Sequence, residues 1–296
     1  MKHYVYLTLL LFVSGWAFAQ TNTTLTHTWN VTLKVVDEDG SPVVGANTSV
    51  GYFTNSQPTS LHGVTDNNGV FTASYSPETD LNELGFEADK SGFYTTRIGH
   101  TLFPPYDPAK WNITQTLMLK NIGKPIPMYA KYIVSITFPV LNKPIGYDLT
   151  VGDWAAPYGR GISQDFIFTE NHADTNSGYT FTISFPRPGD GIQESVLPDA
   201  ENGSGLRSHH EAPVDGYQPK HEQTQMPDPN KIYYFRVRTA LDHQGNVVSA
   251  HYGKIYGDFM QFRYYFNPTP NDRNVEFDTK QNLVGGIESF EQVREP

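Results

Sequence analysis

The sequence predicts an all-β protein, built as two antiparallel β-sandwich domains in tandem behind a cleaved signal peptide. Short runs in which apolar and polar residues alternate recur along the chain, which is the period of a half-buried strand. Aromatic residues make up 14% of the chain, with 18 Tyr and 18 Phe, and such rings suit the pleated face of a sheet. The 25 Gly and 21 Pro are scattered between these runs, as turns between many short strands require.

The N-terminus has the layout of a secretion signal. Lys2 belongs to a short basic start, residues 4–16 are mostly apolar, and Ala17-Phe18-Ala19 gives the small-x-small pattern that signal peptidase cuts. The apolar core is shorter than the roughly 20 residues that a membrane span needs. We therefore predict a signal peptide at 1–19 and a secreted or periplasmic protein, with no integral membrane segment after cleavage.

Cysteine content and charge narrow the class of protein. The chain has no Cys, which excludes a lipoprotein anchor and disulfides, and export without disulfides suits a bacterial protein. The formal net charge is -10, and the sequence has no basic cluster. Because a nucleic-acid partner needs concentrated Lys and Arg, we expect no nucleic acid among the partners.

The first predicted domain covers about 25–120. Val31, Leu33 and Val35 alternate with polar residues, as in a strand with one buried face. Further strand and turn signals follow at residues 37–40, 50–53, 65–71, 88–94 and 113–119. This spacing predicts a β-sandwich.

Three motifs stand in order in this domain. They are Asp37-x-x-Gly40-x-Pro42-Val43-x-Gly45-Ala46, Thr65-Asp66-x-x-Gly69-x-Phe71 and Lys90-x-Gly92-Phe93-Tyr94. Together they resemble the carboxypeptidase regulatory-like domain. The resemblance implies a transthyretin-like β-sandwich, grouped with carbohydrate-binding-like folds, that serves as an accessory domain. It also implies that Gly40 and Gly69 lie in tight turns, and that Phe71 and Tyr94 fill the sandwich.

Segment 98–112 departs from that family pattern and interrupts the last predicted hairpin. It contains Tyr106 and Trp111, whose flat rings could stack on a sugar. The alternative is that these rings cap the edge of the sandwich, since large aromatic residues are mostly at least partly buried.

A proline-rich hinge at 124–127 precedes the second predicted domain, about 125–283. Alternating runs recur there with no helix between them, at residues 132–138, 147–151, 179–185, 233–238, 248–252 and 260–266. About seven such strands indicate a second antiparallel sandwich. This half resembles an uncharacterised region that follows accessory domains in some exported bacterial proteins, and no function comes with that resemblance. We predict that the tail, 284–296, is loose.

A long polar loop at 197–230 is the first place to look for chemistry. It contains His209, His210 and His221 among acidic residues, and imidazole with carboxylate can bind zinc or another divalent metal. The spacing matches no metal motif, so the alternative is a solvated surface loop. A divalent metal at these histidines is the one cofactor that the sequence suggests.

A second candidate follows a predicted strand at 152–160. Asp153, Trp154, Tyr158 and Arg160 stand close together there, and two rings with an acid and a guanidinium can bind a polar ring. The alternative is structural, with Asp153 paired to Arg160 and Trp154 in the core.

Catalytic patterns are weak. The chain has no G-x-S-x-G elbow, no Cys nucleophile and no phosphate-binding glycine loop. A glycoside hydrolase needs two facing carboxylates, and Glu170, Asp174, Asp190 and Glu194 could supply them. Calcium could use oxygens of the 272–278 turn, although the spacing is not that of an EF-hand.

The predicted function is that of an exported, non-enzymatic binding module for a polysaccharide, a cell-surface component or a protein partner. One alternative is a metal-dependent or two-carboxylate hydrolase in the second domain. Another is a structural or adhesive surface protein.

Overall fold

The computed structural model describes residues 27–54, 58–77, 81–102, 111–172, 179–195, 203–223, 228 and 230–296. The named elements of these residues are all β-strands, which confirms the predicted all-β fold class. Four sheets pair face to face as two sandwiches in tandem, each around its own apolar core. The predicted signal peptide lies outside the described residues.

The first sandwich pairs a three-stranded sheet with a four-stranded sheet. Its strands are β1 (Trp29–Val36), β2 (Asn47–Thr54), β3 (Thr59–Val64), β4 (Val70–Tyr75), β5 (Leu81–Asp89), β6 (Thr96–Thr101) and β7 (Asn112–Met118). The sheet orders are β4-β1-β7 and β3-β2-β5-β6. Strand β1 lies antiparallel to β4 but parallel to β7, so the antiparallel prediction misses one pair.

Two of the motif glycines lie where the sequence predicts turns. Gly40 and Gly69 have φ of 77° and 71°, a region that glycine enters without steric cost. Asp37 and Asp66 stabilise these turns, because each carboxylate accepts two backbone N–H bonds from the following residues. The prediction that Tyr94 fills the sandwich is wrong. Its hydroxyl donates a hydrogen bond to Glu276, in the second half of the chain.

The second sandwich is larger. Its strands are β8 (Ile126–Ile133), β9 (Ile145–Asp148), β10 (Asp153–Trp154), β11 (Phe166–His172), β12 (Tyr179–Ser184), β13 (Gly191–Ser195), β14 (Lys220–Gln223), β15 (Ile232–Leu241), β16 (Val247–Asp258), β17 (Gln261–Phe266) and β18 (Phe277–Asn282). A five-stranded sheet, β10-β9-β11-β12-β14, faces a six-stranded sheet, β13-β15-β16-β17-β8-β18. Strands β8 and β18 form a parallel pair.

Both faces of the six-stranded sheet are buried. Tyr233 and Phe235 of β15 face the sandwich core, while Tyr234, on the opposite face, is only 1% exposed. A second apolar cluster covers that face, and it includes Ala212 of the predicted 197–230 loop and Val293 of the C-terminal segment. Antiparallel sheets commonly leave one face to water, so alternation alone did not predict this second core.

The C-terminal segment and the polar loop are therefore packed rather than loose. Within the described part of the loop, Leu206 and Ser208 are fully buried, and residues 220–223 form a strand, β14. The 284–296 tail is held at Val293, which is 4% exposed, and Tyr132 N donates to Glu291 O at 2.8 Å. The prediction of a loose tail is wrong, and the described part of the loop is packed rather than solvated, because both segments cover apolar surface on the six-stranded sheet.

A buried carboxylate joins the two sandwiches where the chain passes between them. Glu276, which is 1% exposed, accepts the backbone N–H groups of Gly123 and Lys124 at 2.9 and 2.7 Å. The Tyr94 hydroxyl donates to the same carboxylate at 2.6 Å. The connection at the predicted hinge is therefore held to both sandwiches.

His210 extends this contact to a second carboxylate. Its Nδ1 lies 3.3 Å from Glu276 Oε2, outside hydrogen-bond geometry, and its Nε2 lies 3.3 Å from Glu38 Oε2. Burial by itself would raise the pKa of Glu276, but the contacts with His210, Tyr94 and the two backbone N–H groups lower it from 4.5 to about 2. The contact with Glu276 raises the pKa of His210, and Glu38 adds to that shift.

Replacing the buried carboxylate tests this connection. We expect Glu276→Gln to lower the free energy of unfolding by about 2–3 kcal/mol at neutral pH, because a lowered pKa of a buried group measures its favourable charge interactions. The contribution is fully present above pH 4.5 and disappears as the pH falls toward 2. Urea unfolding over that pH range should show the two proteins converge on acidification. An equal difference at every pH would contradict this account, and the exposed Glu288→Gln is the control.

Candidate functional site

The outer face of the four-stranded sheet carries a row of glycines. Gly51 of β2 pairs with Gly85 of β5, and Gly85 pairs with Gly99 of β6. Ser60 of β3 pairs with Gly51 and completes the row. Neighbouring strands lie about 4.8 Å apart, so these residues form a strip across the whole sheet in which only Ser60 carries a side chain. We call this strip and the side chains that border it the glycine trough.

Polar side chains border the trough on one side. Glu87 pairs across strands with Ser49 and with Arg97. Two nitrogens of the Arg97 guanidinium donate to the two Glu87 oxygens, each at 2.9 Å. This exposed pair adds little stability. It does fix the guanidinium in place, and it uses only two of the five N–H donors of the arginine.

Phe53 and Glu83, a cross-strand pair on β2 and β5, border the other side. A Cβ at Gly51 would lie 2.9 Å from Phe53 Cε2, and one at Gly85 would lie 3.1 Å from it, so the ring leans over the glycine floor. Phe53 is still 39% exposed, and part of the ring faces solvent. The Glu83 carboxylate forms no ion pair with the residues that the structure describes.

The trough has the size and composition of a ligand site. Its volume is about 320 Å³, at the lower end of the range for small-molecule sites. Sequence reasoning missed it, although a signal exists: glycine inside a strand often marks a close approach of a ligand or another backbone. Each of the three glycines sits at an outward position of its strand, and only the register brings them together.

The second half of the chain braces one end of the trough. Arg97 N donates to Gly203 O, and Gly205 N donates to Thr95 O, each at 2.8 Å. Gly203 has φ of 85°, and a Cβ there would lie 1.9 Å from Arg97 O, so only glycine fits this approach. Segment 203–205 therefore continues the sheet edge beside β6 and fixes the backbone of Arg97.

The predicted site at 152–160 forms in part. Asp153 Oδ2 accepts hydrogen bonds from the backbone N–H and from the side-chain Nε of Arg160, at 3.0 and 3.2 Å. This pairing of Asp153 with Arg160 is the structural alternative that the sequence offered. Asp153 and Trp154 border a cavity of about 220 Å³, whereas Tyr158 and Arg160 do not line it. Tyr158 is 43% exposed.

Trp154 itself packs as a core residue. Its ring centroid lies 5.3 Å from that of Phe138, 5.4 Å from that of Tyr147 and 5.9 Å from that of Phe168. These edge-on and tilted contacts are the arrangements that aromatic pairs prefer. The ring therefore contributes to packing at the cavity.

Trp111 lies on the other sandwich. It is partly buried against the first core and stacks on His27 with ring centroids 3.8 Å apart. Its buried indole N–H has no hydrogen-bond partner among the described residues. Trp111 therefore lies where a ring that caps the edge of the sandwich would lie. Tyr106 lies outside the described residues.

The three predicted metal-binding histidines have separate environments. His210 contacts Glu38 and Glu276, while the backbone N–H of His209 bonds to a tyrosine hydroxyl. The His221 ring packs 5.2 Å from that of Tyr233, and burial lowers its pKa. In the part of the chain that the structure describes, no group of three or more His, Asp or Glu is placed to hold a metal ion.

Each described carboxylate that was a candidate for a hydrolase has a different environment. Asp190 is 3% exposed, accepts a backbone N–H at 2.8 Å and has its pKa raised by burial. Glu194 pairs with Lys231 at 3.1 Å, and Glu170 lies on β11. Asp174 lies outside the described residues.

Side chains of the 272–278 turn accept hydrogen bonds from nearby backbone N–H groups. Asp272, Asn274 and Asp278 each accept the N–H two residues further on, at 3.0, 2.8 and 3.0 Å. These are Asx turns, so the oxygens proposed for calcium stabilise the chain reversal.

No family model matches the chain, and no curated protein matches it. Among solved structures, catechol 1,2-dioxygenase from Acinetobacter sp. ADP1 is 12% identical with a TM-score of 0.26, over 35% of this chain and 55% of that one. The shaft pilin SpaA from Lactobacillus rhamnosus GG is 15% identical with a TM-score of 0.24, over 56% and 90% of the two chains. A DUF3823 family protein from Parabacteroides merdae ATCC 43184 is 6% identical with a TM-score of 0.23, over 86% and 100%.

These likenesses carry no argument about function, because the identities and TM-scores are low. The chain spans 55% of the length of the dioxygenase. The resemblance to the carboxypeptidase regulatory-like domain stays a prediction. Within the described residues, no helix has the length and apolar character for crossing a membrane.

Filling the trough should leave the fold intact. We expect Gly85→Thr to change the free energy of unfolding by no more than about 1 kcal/mol, because threonine favours strands and the exposed Phe53 ring can move aside. In contrast, Gly253→Thr should be strongly destabilising, since a Cβ there would lie 2.2 Å from Tyr265 O. Urea unfolding compares the two variants. Similar losses in both would show that the trough glycines are required for folding.

Truncation of the Trp154 side chain should lower the stability of the fold. We expect Trp154→Ala to cost about 2–3 kcal/mol, because its ring packs against three others but is only partly buried. The control is Phe290→Ala, at a ring that is 63% exposed, with an expected change within about 0.5 kcal/mol. Thermal and urea unfolding measure both. A Trp154→Ala protein as stable as the control would contradict the core assignment.

Proposed function

We propose that this protein is an exported, non-enzymatic glycan-binding module whose ligand lies in the glycine trough. One observation carries the proposal: the register places Gly51, Gly85 and Gly99 in one row. The row forms a floor of backbone between the aromatic ring of Phe53 on one side and the hydroxyl, carboxylate and guanidinium groups of Ser49, Glu87 and Arg97 on the other. A sugar has the matching surfaces, with C–H groups on one face and hydroxyls around its rim.

The polar groups of the trough suit a ligand rich in hydroxyls. The carboxylates of Glu83 and Glu87 accept hydrogen bonds, Arg97 donates them, and the hydroxyls of Ser49 and Ser60 do both. Hydrogen bonds to charged groups are roughly twice as strong as neutral ones. A ligand with several hydroxyls can therefore use every polar side chain of the trough at once.

Phe53 supplies the apolar contact. Its ring covers part of the floor and keeps 39% of the residue surface exposed. An apolar ligand face that packs on an aromatic ring gains hydrophobic stabilisation together with orientation. The direction of the ring, which leans over the glycine floor, determines where that ligand face lies.

The pairing of Glu87 supports binding rather than hydrolysis at this place. Glu87 is held by Arg97 at 2.9 Å from each oxygen. Hydrolysis of a glycosidic bond needs two carboxyl groups that act on that bond, and the ion pair occupies one of the two carboxylates of the trough.

The test is a glycan array followed by calorimetry with the best glycan. We expect saturable binding by the purified protein, and none by Gly85→Thr, whose side chain fills the floor. Phe53→Ala should bind about fivefold more weakly, since the loss of an aromatic contact worth about 1 kcal/mol corresponds to roughly that factor.

Matched controls lie elsewhere on the chain. A Cβ at Gly285 meets open space, so Gly285→Thr should bind like the unmodified protein, as should Phe290→Ala. Absence of binding to any glycan, or equal binding by the trough variants and the controls, would overturn the proposed function.

A further inference from the structure

The glycine trough runs across its sheet from edge to edge. Its floor residues, Ser60, Gly51, Gly85 and Gly99, belong to β3, β2, β5 and β6, which is the complete order of the sheet. Four strands at about 4.8 Å spacing make a floor about 14 Å long. A floor of that length exceeds a single sugar ring, so the ligand is extended along the direction across the strands.

In the part of the chain that the structure describes, no residue from outside the sheet closes either end of the floor. The Glu83 carboxylate leans over the Gly99 end, where a Cβ would lie 2.9 Å from Glu83 Oε1. Ser60 and Gly99, which end the row, are exposed. Each described residue that lines the trough belongs to one of the four strands, and none comes from a connecting loop. A site that selects the end of a chain needs a wall against which the end stops, and the described residues supply none.

The charge of the trough selects against anionic ligands. Glu83 and Glu87 are its carboxylates, and Arg97 is its one cation among the described lining residues. Since Arg97 is already paired with Glu87, no cation among the described lining residues compensates the negative charge that Glu83 presents to the ligand. The chain as a whole carries a formal net charge of -10. A polymer of acidic sugars would meet repulsion at close range and also on approach.

The floor also disfavours a peptide in place of a sugar. A peptide that binds by strand addition needs unpaired backbone N–H and C=O groups, and those of Gly51 and Gly85 lie inside the sheet, where they pair with neighbouring strands. The exposed groups of the trough are side-chain hydroxyls and charges, which match hydroxyls better than peptide side chains of mixed chemistry.

We propose that the glycine trough binds an internal segment of a linear, uncharged polysaccharide. This inference rests on the proposed function and adds three properties of the ligand: it is a polymer, it is held away from its ends, and it carries no net charge. Several copies of the protein can then bind along one polymer chain.

Calorimetry with defined oligosaccharides tests the first two properties. The probes are neutral β-glucan, xylan and mannan oligosaccharides from one to six sugar units. In the series that binds, we expect affinity to rise more than tenfold from the shortest members and then to level off once the floor is filled. Reduction of the terminal sugar of the longest member should change its affinity by less than twofold, and the parent polymer should bind several proteins per chain.

Polygalacturonate tests the third property. We expect it to bind at least tenfold more weakly than the best neutral polymer, and Glu83→Lys to narrow that gap at least fivefold by replacing a negative charge with a positive one. Glu288→Lys, on an exposed glutamate outside the trough, adds the same charge and should leave the gap unchanged.

The outcomes separate this inference from the proposed function. Tight binding of a single sugar, loss of binding after reduction of the terminal sugar, or equal binding of polygalacturonate would overturn the inference while the trough remained a glycan site. Binding of every probe by Gly85→Thr as well as by the unmodified protein would instead overturn the proposed function.

Discussion

The arrangement of the whole molecule depends on one buried carboxylate. Glu276 cannot stay ionised in the interior without partners, because removing a charge from water costs several kcal/mol. It takes those partners from the connection between the sandwiches, from Tyr94 of the first sandwich and from His210 of the loop. The need to satisfy one charge therefore fixes three segments together, and segment 203–205, a few residues before His210, in turn braces β6 beside the trough.

The two sandwiches use their outer surfaces differently. In the second sandwich, the loop and the C-terminal segment cover the outer face of the six-stranded sheet and bury tyrosines such as Tyr234. In the first sandwich, the outer face of the four-stranded sheet keeps a floor of glycine backbone, and Phe53 and the Glu83 carboxylate lean over it. A rigid sheet is a precise platform for binding, because its backbone is fixed by the ladder hydrogen bonds and not by a mobile loop.

Glycine in a strand has an energetic cost of roughly 0.5–1 kcal/mol per residue, and the trough contains three such residues side by side. The surrounding fold compensates for that cost in two ways. The Phe53 ring covers part of the exposed backbone, which restores apolar contact over the glycines. The interior face of the same strands supplies fully buried residues, among them Val50, Tyr52 and Leu84. The outer face is therefore free to serve a ligand because the inner face stabilises the sheet.

The sequence by itself determined the all-β class, because alternation reports which face of a strand is buried, and it determined turns such as those at Gly40 and Gly69, because their motifs contain the capping aspartates. It pointed to aromatic residues as binding sites, and the structure places Trp154 in packing contacts at the border of a cavity. Only the tertiary structure decided the candidate site. Gly51, Gly85 and Gly99 lie on three strands, and alternation carries no information about which strands are neighbours or in what register. Long-range pairing sets both, so the trough exists only once the sheet has formed.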